Sequence, residues 1–429
     1  MNTNKTLLST AVAFGLLSSA NLANAAGFQL AEYSATGLGR AYAGEAAMAD
    51  NASAQWRNPA MLTYLEGTQV SVGAIYVNPN IDVEGEVRHP MLGNTAASSE
   101  DFAHDAIIPN LYISHRYNDQ LAIGFALGTN YGMETDLGKD FAASHFGNEA
   151  SVISKEANLN LAYQLNEQFS IGGGVRYIIA EGSFGATAPK TNILNLPQGT
   201  TLKYMEGDDT AWGWQIGSAW QINENHRVGF TYKSEVELKL EGHAEGIAFQ
   251  NTPNFYDTGS MALTLPATAE LASFHQLSEQ LALHASINWT DWSSFKELYA
   301  DLDNNPGSMV KVENWEDNYR FAVGATYQLQ PKLALRSGLA YDTSAVSDKN
   351  RTITIPETDR TWLSVGATYD WTQNFTLDAG FTYIIAKDAP IKESRGYESD
   401  DKAQAIGGQF VGETTGNVWL IGVQANYRF

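Results

Sequence analysis

Apolar and polar residues alternate with a period of two along most of this chain beyond residue 67. The carboxyl-terminal segment is the clearest case, since Trp419, Ile421, Val423, Ala425, Tyr427 and Phe429 alternate with positions that include Gln424, Asn426 and Arg428. Successive side chains of a β-strand point to opposite faces of the sheet, so such a segment has one apolar and one polar face. This pattern, ended by the aromatic Phe429, is typical of bacterial outer-membrane β-barrels.

From about Thr68 the chain divides into some fourteen such segments, and the connections between them are alternately short and long. The short turns are Asn118-Asp119, Asn166-Glu167-Gln168, Asn223-Glu224-Asn225, Ser278-Glu279, Gln330-Pro331-Lys332 and Thr372-Gln373-Asn374. The long loops are expected over 78–107, 133–154, 182–209, 241–259, 300–314, 342–358 and 386–415. Short periplasmic turns and long outer loops characterise an antiparallel outer-membrane barrel, whereas a soluble all-β sandwich has no reason to separate them.

Charged residues avoid the apolar faces of these segments. In one segment Ala157, Leu159, Leu161, Tyr163 and Leu165 share a face that carries no charge. A basic residue on the lipid face would cost about 2 to 4 kcal/mol at the bilayer midplane. The sequence therefore predicts an all-β transmembrane protein, a 14-stranded antiparallel outer-membrane β-barrel over residues 68–429.

The amino-terminal residues do not follow the strand pattern. Lys5, the apolar run Leu7 to Leu17 and the triplet Ala23-Asn24-Ala25 predict a cleaved signal peptide over residues 1–25. Residues 26–67 are rich in glycine and alanine, and a barrel of fourteen strands has more lumen than its own side chains fill. We therefore expect residues 26–67 to form an N-terminal hatch that plugs the lumen, the alternative being a flexible periplasmic extension.

The composition and the motifs of the chain disfavour several classes of ligand and reaction. The chain has no cysteine, and its 26 basic and 48 acidic residues give a formal charge of −22, which disfavours nucleic-acid binding. Neither a metal site nor a cofactor is expected. Ser114-His115 and the Ser273 and His275 pair are the nearest approaches to a hydrolytic site, but neighbouring strand residues do not converge as a triad. We expect no enzymatic activity.

Several motifs spread along the mature chain closely resemble those of the FadL-type outer-membrane transporters of long-chain fatty acids. They are Ala26-Gly27-Phe28-Gln29-Leu30, Gly37-Leu38-Gly39-Arg40-Ala41-Tyr42, Arg57-Asn58-Pro59-Ala60, Ser234-Glu235-Val236, Leu263-Thr264-Leu265-Pro266, Asn350-Arg351, Ile355-Pro356, Asp359-Arg360 and Trp362-Leu363-Ser364. The resemblance implies a plugged fourteen-stranded barrel that takes up hydrophobic ligands without ATP.

The resemblance also implies where ligand binds. Ligand is expected to adsorb in an apolar groove between two outer loops and then to enter a deeper pocket above the hatch, near Phe28. The loop residues are Phe184, Ile193, Leu194 and Leu196 on one side, and Ile247, Phe249, Phe255 and Tyr256 on the other. Clusters of apolar residues in solvent-facing loops are candidate binding surfaces, although they can also simply pack over the barrel mouth.

A carboxylate ligand needs a positive group in the pocket. Lys311 matches a ligand-contacting lysine of the family, and the inward-facing Arg176, Arg320 and Arg336 are further candidates. Strict alternation from Tyr319 makes Lys311 face outward, so a bulge or strand end is required if it is to reach the lumen. The family's second basic contact, an arginine, falls here on or near Ala186.

Release is expected to be lateral. The resemblance implies an inward kink in the third strand, here the segment Gly128-Thr129-Asn130-Tyr131-Gly132, and glycine within a strand suits such a kink. The hatch motif Asn58-Pro59-Ala60 is associated in the family with the gap that this kink opens. Ligand binding is expected to move the hatch and open the exit.

The predicted barrel and the resemblance to the family together indicate the partners. They are a long-chain fatty acid or another hydrophobic small molecule, outer-membrane lipid and lipopolysaccharide, the barrel-assembly machinery that receives the Phe429 end, and phage at the outer loops. The protein is expected to act as a monomer in the outer membrane of a Gram-negative bacterium. Alternatives are uptake of monoaromatic hydrocarbons by the same route, and a porin or adhesin.

Overall fold

The structure is a computed structural model that describes residues 27–394 and 400–429. The expected signal peptide, residues 1–25, lies outside the described residues. The described strands are β1 (Thr68–His89), β2 (Gly93–Ser99), β3 (Ala106–Arg116), β4 (Leu121–Gly128), β5 (Gly132–Asp136), β6 (Glu149–Gln164), β7 (Phe169–Thr187), β8 (Thr201–Asn223), β9 (His226–Lys233), β10 (Val236–Glu245), β11 (Tyr256–Leu265), β12 (Thr268–Gln276), β13 (Leu281–Thr290), β14 (Glu297–Leu302), β15 (Ser308–Val312), β16 (Asn318–Gln330), β17 (Leu333–Asp342), β18 (Arg360–Asp370), β19 (Phe375–Ala386), β20 (Ala389–Glu393) and β21 (Gln409–Arg428).

Helices are short and few in this part of the chain. They are α1 (Ala35–Leu38), α2 (Ala54–Arg57) and α3 (Asp400–Gly407), with 3-10 turns at Glu45–Ala47, Pro59–Tyr64 and Trp292–Ser294. None of these helices is both long and apolar enough to cross a membrane.

The strands form a closed antiparallel barrel with a wall of fourteen strands, which confirms the predicted fold. Three wall strands are interrupted: β4 and β5 form the third, β9 and β10 the seventh, and β11 and β12 the eighth, whereas β2, β14, β15 and β20 belong to the connections. The last strand closes the wall on the first, since β21 pairs with β1 from Gln69↔Arg428 to Arg88↔Gln409.

The two faces of the wall have the predicted polarity. In β6, Leu159 is 66% and Leu161 is 52% exposed, whereas Asn158 and Asn160 between and beside them are buried. An apolar outer face and a polar inner face are the reverse of a soluble sandwich. The six predicted turns also hold, because each lies between two consecutive wall strands.

The long connections are shorter than predicted. The first long loop was expected to begin at residue 78, but β1 continues to His89 and pairs there with both β2 and β21. Its apolar residues change face along the way: Val72 is exposed, whereas Ile81 and Val83 are buried. Above the bilayer the wall no longer faces lipid, so the apolar face turns inward and the sequence pattern no longer marks the strand as a membrane one.

The amino-terminal segment, residues 27–67, packs against the inward faces of the wall strands. The amide of Ala46 donates to Glu270 Oε1 at 3.0 Å, and Asn58 Nδ2 donates to the carbonyl of Ser218 at 3.0 Å. At Gly229 a Cβ atom would collide with the carbonyl oxygen of Ala46. Glycine therefore lets the backbone of the segment approach the wall closely at this point.

Candidate functional site

An outer cavity of about 850 Å³ lies between the connections at one end of the barrel. It gathers apolar residues of both predicted loops, together with Lys190 and Lys203. Those apolar residues include Phe184, Ile193, Leu194, Leu196 and Ile247. The structure thus brings most of the predicted groove residues together in one cavity.

Phe249 and Phe255 are placed differently from their loop neighbours. Their rings stack with centroids 5.7 Å apart, both are buried, and neither is among the residues that line the outer cavity. Phe249 instead lies 5.4 Å from Lys203 Nζ, and this Nζ donates to the carbonyl of Met309 at 2.9 Å. Lys203 lies directly opposite Ala186 in the β7–β8 ladder, so the neighbouring strand supplies a cation beside the position where the family arginine was expected.

An inner pocket lies deeper and is much smaller, about 30 Å³. That volume corresponds to roughly one water molecule. Phe184 lines both cavities and therefore separates them. Most of the other residues that line the pocket are apolar, including Phe28, Met133, Leu240, Met261, Leu263, Phe295, Leu298 and Ile355.

Phe28 closes the inner pocket from the side of the amino-terminal segment. Its ring is fully buried against aromatic neighbours, with centroid distances of 4.5 Å to Trp292, 5.6 Å to Phe295, 5.9 Å to Trp315 and 6.2 Å to Tyr131. Tilted and edge-to-face arrangements of this kind stabilise aromatic clusters beyond simple burial. The segment therefore begins with a side chain held in the pocket wall.

Lys311 points into this pocket, 3% exposed, and not outward as strict alternation predicted. The β14–β15 ladder shifts between Leu298, opposite Lys311, and Tyr299, opposite Met309, so one residue of β15 is skipped. Such a bulge re-aims the side chain. Moreover, the alternation was counted from Tyr319 across residues 313–317, which are not in a strand.

Lys311 has polar partners from two other connections. Its Nζ lies 2.8 Å from Glu393 Oε1 and donates to Thr354 Oγ1 at 3.3 Å, and it also sits 5.4 Å from the Phe184 ring centre. Neither Glu393 nor Thr354 was singled out from the sequence. No sequence signal locates them, because both come from stretches expected to be irregular loops.

Glu313 is a second ionisable residue of the pocket that sequence reasoning missed. It is 1% exposed and its Oε2 accepts a hydrogen bond from Trp315 Nε1 at 2.9 Å, whereas no donor among the described residues reaches its Oε1. Burial raises the pKa of Glu313 to about 7, against an opposing effect of Lys311, and the charge of Glu393 raises it further. A carboxyl group of this kind changes its protonation state near neutral pH.

The predicted arginines lie elsewhere in the lumen. Arg176 forms two hydrogen bonds of 2.8 Å with Glu156, and Arg320 lies 2.9 Å from Asp342 and donates to the carbonyl of Ala41. Arg336 is within 3.5 Å of Asp378. None of the three lines either cavity, and each is committed to a carboxylate.

The third wall strand is interrupted where the kink was predicted. β4 ends at Gly128 and β5 begins at Gly132, so Thr129, Asn130 and Tyr131 leave the ladder. Below the break, β3 and β4 pair up to Leu111↔Leu127, and above it Ala103 pairs with Thr135. Between these points residues 106–110 of β3 pair with β1 but not with the third wall strand. We call this interruption the wall window.

The amino-terminal segment covers the wall window from inside. Gln29 forms an isolated antiparallel bridge with Tyr131, the amide of Leu30 donates to Asn130 O at 2.7 Å, and Gly132 N donates to Phe28 O at 2.7 Å. Asn130 Nδ2 also donates to Glu156 Oε2 at 2.5 Å. Residues 28–30 thus bond to the window, and the first of them, Phe28, also lines the inner pocket.

The motif Asn58-Pro59-Ala60 is bonded within the amino-terminal segment and to the sixth wall strand, through Ser218. Asn58 is buried, its Nδ2 donates to Ala46 O at 2.6 Å and its Oδ1 accepts from Ala60 N at 3.0 Å, while Pro59 begins a 3-10 turn. Trp56, two residues earlier, does reach the third strand, since a Cβ atom at Gly128 would lie 3.1 Å from its ring. The motif shapes the segment that carries Trp56.

Comparison with known proteins places this architecture in a family. Residues 16–429 match the profile of the outer membrane protein transport proteins (OMPP1/FadL/TodX). The chain is 33% identical to a long-chain fatty acid transport protein of Escherichia coli O6:H1 (98% of this chain, 97% of the relative) and 36% identical to a 47 kDa outer membrane protein of Pasteurella multocida (99% and 98%).

Solved structures share the fold. A Pseudomonas aeruginosa FadL homologue superposes with a TM-score of 0.82 at 22% identity, covering 94% of this chain and all of that one. The Ralstonia pickettii toluene transporter TbuX gives 0.67 at 17% identity, covering 94% and 100%. At such identities the likeness concerns the fold alone.

Proposed function

Because the chain belongs to the outer membrane protein transport family (OMPP1/FadL/TodX) and is a β-barrel of the Gram-negative outer membrane, we propose that it takes up long-chain fatty acids. The observation that carries the proposal is Lys311, the one cation among the residues that line a mostly apolar pocket. A mostly apolar pocket that holds one cation suits a ligand with a long apolar chain and an anionic head.

Capture begins in the outer cavity. Its volume and apolar walls accept part of an acyl chain, and burying that chain contributes about 0.8 kcal/mol for each CH₂ group. The head group then passes Phe184 toward Lys311. Because the inner pocket holds roughly one water molecule, an acyl chain enters only when Phe28 moves away.

Release follows from that movement. Phe28, Gln29 and Leu30 are bonded through their backbones to Asn130, Tyr131 and Gly132, so displacement of Phe28 pulls on the covering of the wall window. In this proposal residues 26–67 act as the hatch that plugs the lumen, and ligand leaves sideways through the window into the membrane. The ligand's differential affinity for the open state drives the shift.

The test is a binding competition between oleate and toluene on protein in lipid nanodiscs. Wild-type protein is expected to prefer oleate, and Lys311→Met is expected to weaken oleate binding while leaving toluene unchanged. Lys296→Met, an exposed lysine near the pocket, serves as the matched control and should bind as wild type. Preference for toluene, independent of Lys311, would contradict fatty acid uptake and favour monoaromatic hydrocarbons as the substrate.

A conductance measurement tests the transport route. The amino-terminal segment packs against the wall, so planar bilayers containing the protein should show no large, steady ion current. Such a current would instead indicate an open porin.

A further inference from the structure

The cation of the inner pocket is already paired with a carboxylate before any ligand enters. Lys311 and Glu313 are the only ionisable side chains among the residues that line it, and Lys311 already pairs with Glu393, 2.8 Å away. Glu393 is further held by the amide of Ile353, which donates to its Oε2 at 2.8 Å. One cation therefore faces two carboxyl groups.

An anionic head group would add a third carboxylate around this single lysine. Buried charges without a compensating partner are strongly unfavourable, so three ionised carboxylates and one ammonium do not form a stable cluster. Either the ligand displaces Glu393 from Lys311, leaving Glu393 buried and unpaired, or a proton enters with the ligand. Because Glu393 also holds the backbone at Ile353, the second route preserves the contacts already present.

Glu313 is placed to carry that proton. Its Oε2 is occupied by Trp315 Nε1 at 2.9 Å, whereas its Oε1 accepts no hydrogen bond from the described residues although the side chain is 1% exposed. A protonated Oε1 is a donor, and the oxygen of an anionic head group is the acceptor it lacks. We propose that Glu313 binds the ligand's head group as a neutral carboxylic acid beside Lys311, so that each anion captured in the inner pocket is accompanied by one proton.

The direction of the pH effect follows from the charges that face Glu313. Burial raises the pKa of Glu313 to about 7, Lys311 opposes this rise and Glu393 adds to it. A bound anion raises this pKa again, because like charges disfavour ionisation. Below pH 7 the free pocket already holds the proton, and above pH 7 the proton must be taken from solvent. Anion affinity is therefore constant in acid and falls as the pH rises, by up to about tenfold per pH unit.

This inference rests on the proposed function, because it concerns the pocket of Lys311. The test uses dodecanesulfonate, whose head group remains anionic throughout the range, and neutral 1-dodecanol. Binding to protein in nanodiscs is measured by calorimetry from pH 5.5 to 8.5, in pairs of buffers that differ in ionisation enthalpy. Wild-type protein should bind the sulfonate progressively more weakly above pH 7, with uptake of about one proton per ligand at pH 8.5 and none at pH 5.5. Binding of 1-dodecanol should not depend on pH.

Two substitutions test whether Glu313 is the residue that takes up the proton. Glu313→Gln should bind the sulfonate with an affinity that no longer changes with pH, because the amide is always a neutral donor. Glu316→Gln, at an exposed glutamate three residues away, should retain the wild-type profile. The proton uptake of the wild-type protein needs no variant, so the test stands even if Glu313→Gln fails to fold.

A pH-independent sulfonate affinity in the wild type, or an unchanged slope in Glu313→Gln, would overturn the inference. A failure of the proposed function would give a different result in the oleate measurements. If oleate binds at pH 6 and Lys311→Met abolishes that binding, fatty acid recognition stands whatever the sulfonate profile. If oleate does not bind at any pH, fatty acid recognition itself fails.

Discussion

The Nζ atom of Lys311 lies 5.4 Å from the centre of the Phe184 ring. Because Phe184 lines both the outer cavity and the inner pocket, the ring stands between the place where an apolar ligand first finds room and the cation that faces its head group. This one side chain therefore separates adsorption from deep binding.

Replacing Phe184 by alanine should speed ligand entry. The ring would no longer have to rotate out of the way, so the association rate of oleate with the inner pocket should increase several-fold. Stopped-flow tryptophan fluorescence can follow entry, since Trp292 and Trp315 pack on Phe28. Phe255→Ala removes a buried ring outside both cavities and should leave the rate unchanged. Equal rates in wild type and Phe184→Ala would show that the ring is not a barrier.

Locking the amino-terminal segment to the wall window should block release. Gln29 and Tyr131 are directly paired in an antiparallel bridge, and the chain has no cysteine of its own, so Gln29→Cys with Tyr131→Cys forms one defined disulfide. The oxidised protein should adsorb oleate at the outer cavity but not transfer it to the lipid of the vesicle. The reduced form of the same protein is the control and should regain transfer. Transfer at the same rate before and after reduction would exclude movement at this bridge.

Lys203 should contribute to capture in the outer cavity. Lys203→Met should weaken oleate adsorption by roughly tenfold or more, because a hydrogen bond to a charged group contributes about 1.5 to 3 kcal/mol. Methyl oleate, which has no charge, should bind equally well to both proteins in a fluorescence displacement assay. Lys392→Met changes an exposed lysine outside both cavities and should behave as wild type. A matching loss for methyl oleate would indicate damaged packing and not lost charge recognition.

The Arg176–Glu156 pair beside the wall window should be structural. Glu156→Gln leaves a buried guanidinium without its bidentate partner, and breaking such a pair costs about 3 to 5 kcal/mol. The free energy of unfolding of lipid-reconstituted protein, measured by denaturation with guanidinium chloride, should fall by about this amount. Replacing both residues, Glu156→Leu with Arg176→Met, should recover part of the loss, because neither member of the pair is then left as a buried charge without its partner. Normal stability with impaired oleate binding in Glu156→Gln would make Arg176 a ligand contact after all.

The barrel was predictable because the bilayer imposes a local rule. Leu159 and Leu161 must meet lipid and Asn158 and Asn160 must not, and this requirement is written residue by residue into the strand. The six tight turns were predicted as the short polar connections between these alternating segments. The rule ends at the membrane surface, which is why the continuation of β1 to His89 was missed.

The site was predictable only in part. The resemblance to the family pointed to Phe184, Leu194 and Leu196 and to the break between Gly128 and Gly132, and the apolar character of the exposed loops and the glycines of the strand agreed with it. The pairing of Lys311 with Glu393 was not predicted, since 82 positions separate them and no local pattern connects β15 to β20. The ion pair between Arg176 and Glu156 was not predicted either.

The compartment, the number of wall strands and the residues that face lipid follow from the sequence alone, because each of these depends on contacts with solvent or lipid that every residue makes on its own. Which charges meet depends instead on the folded chain. A one-residue bulge turns Lys311 inward, two other connections bring Thr354 and Glu393 to it, and residues 28–30 join the pocket to the wall window. Such contacts depend on the mutual placement of distant chain segments, and closure of the barrel is what sets that placement.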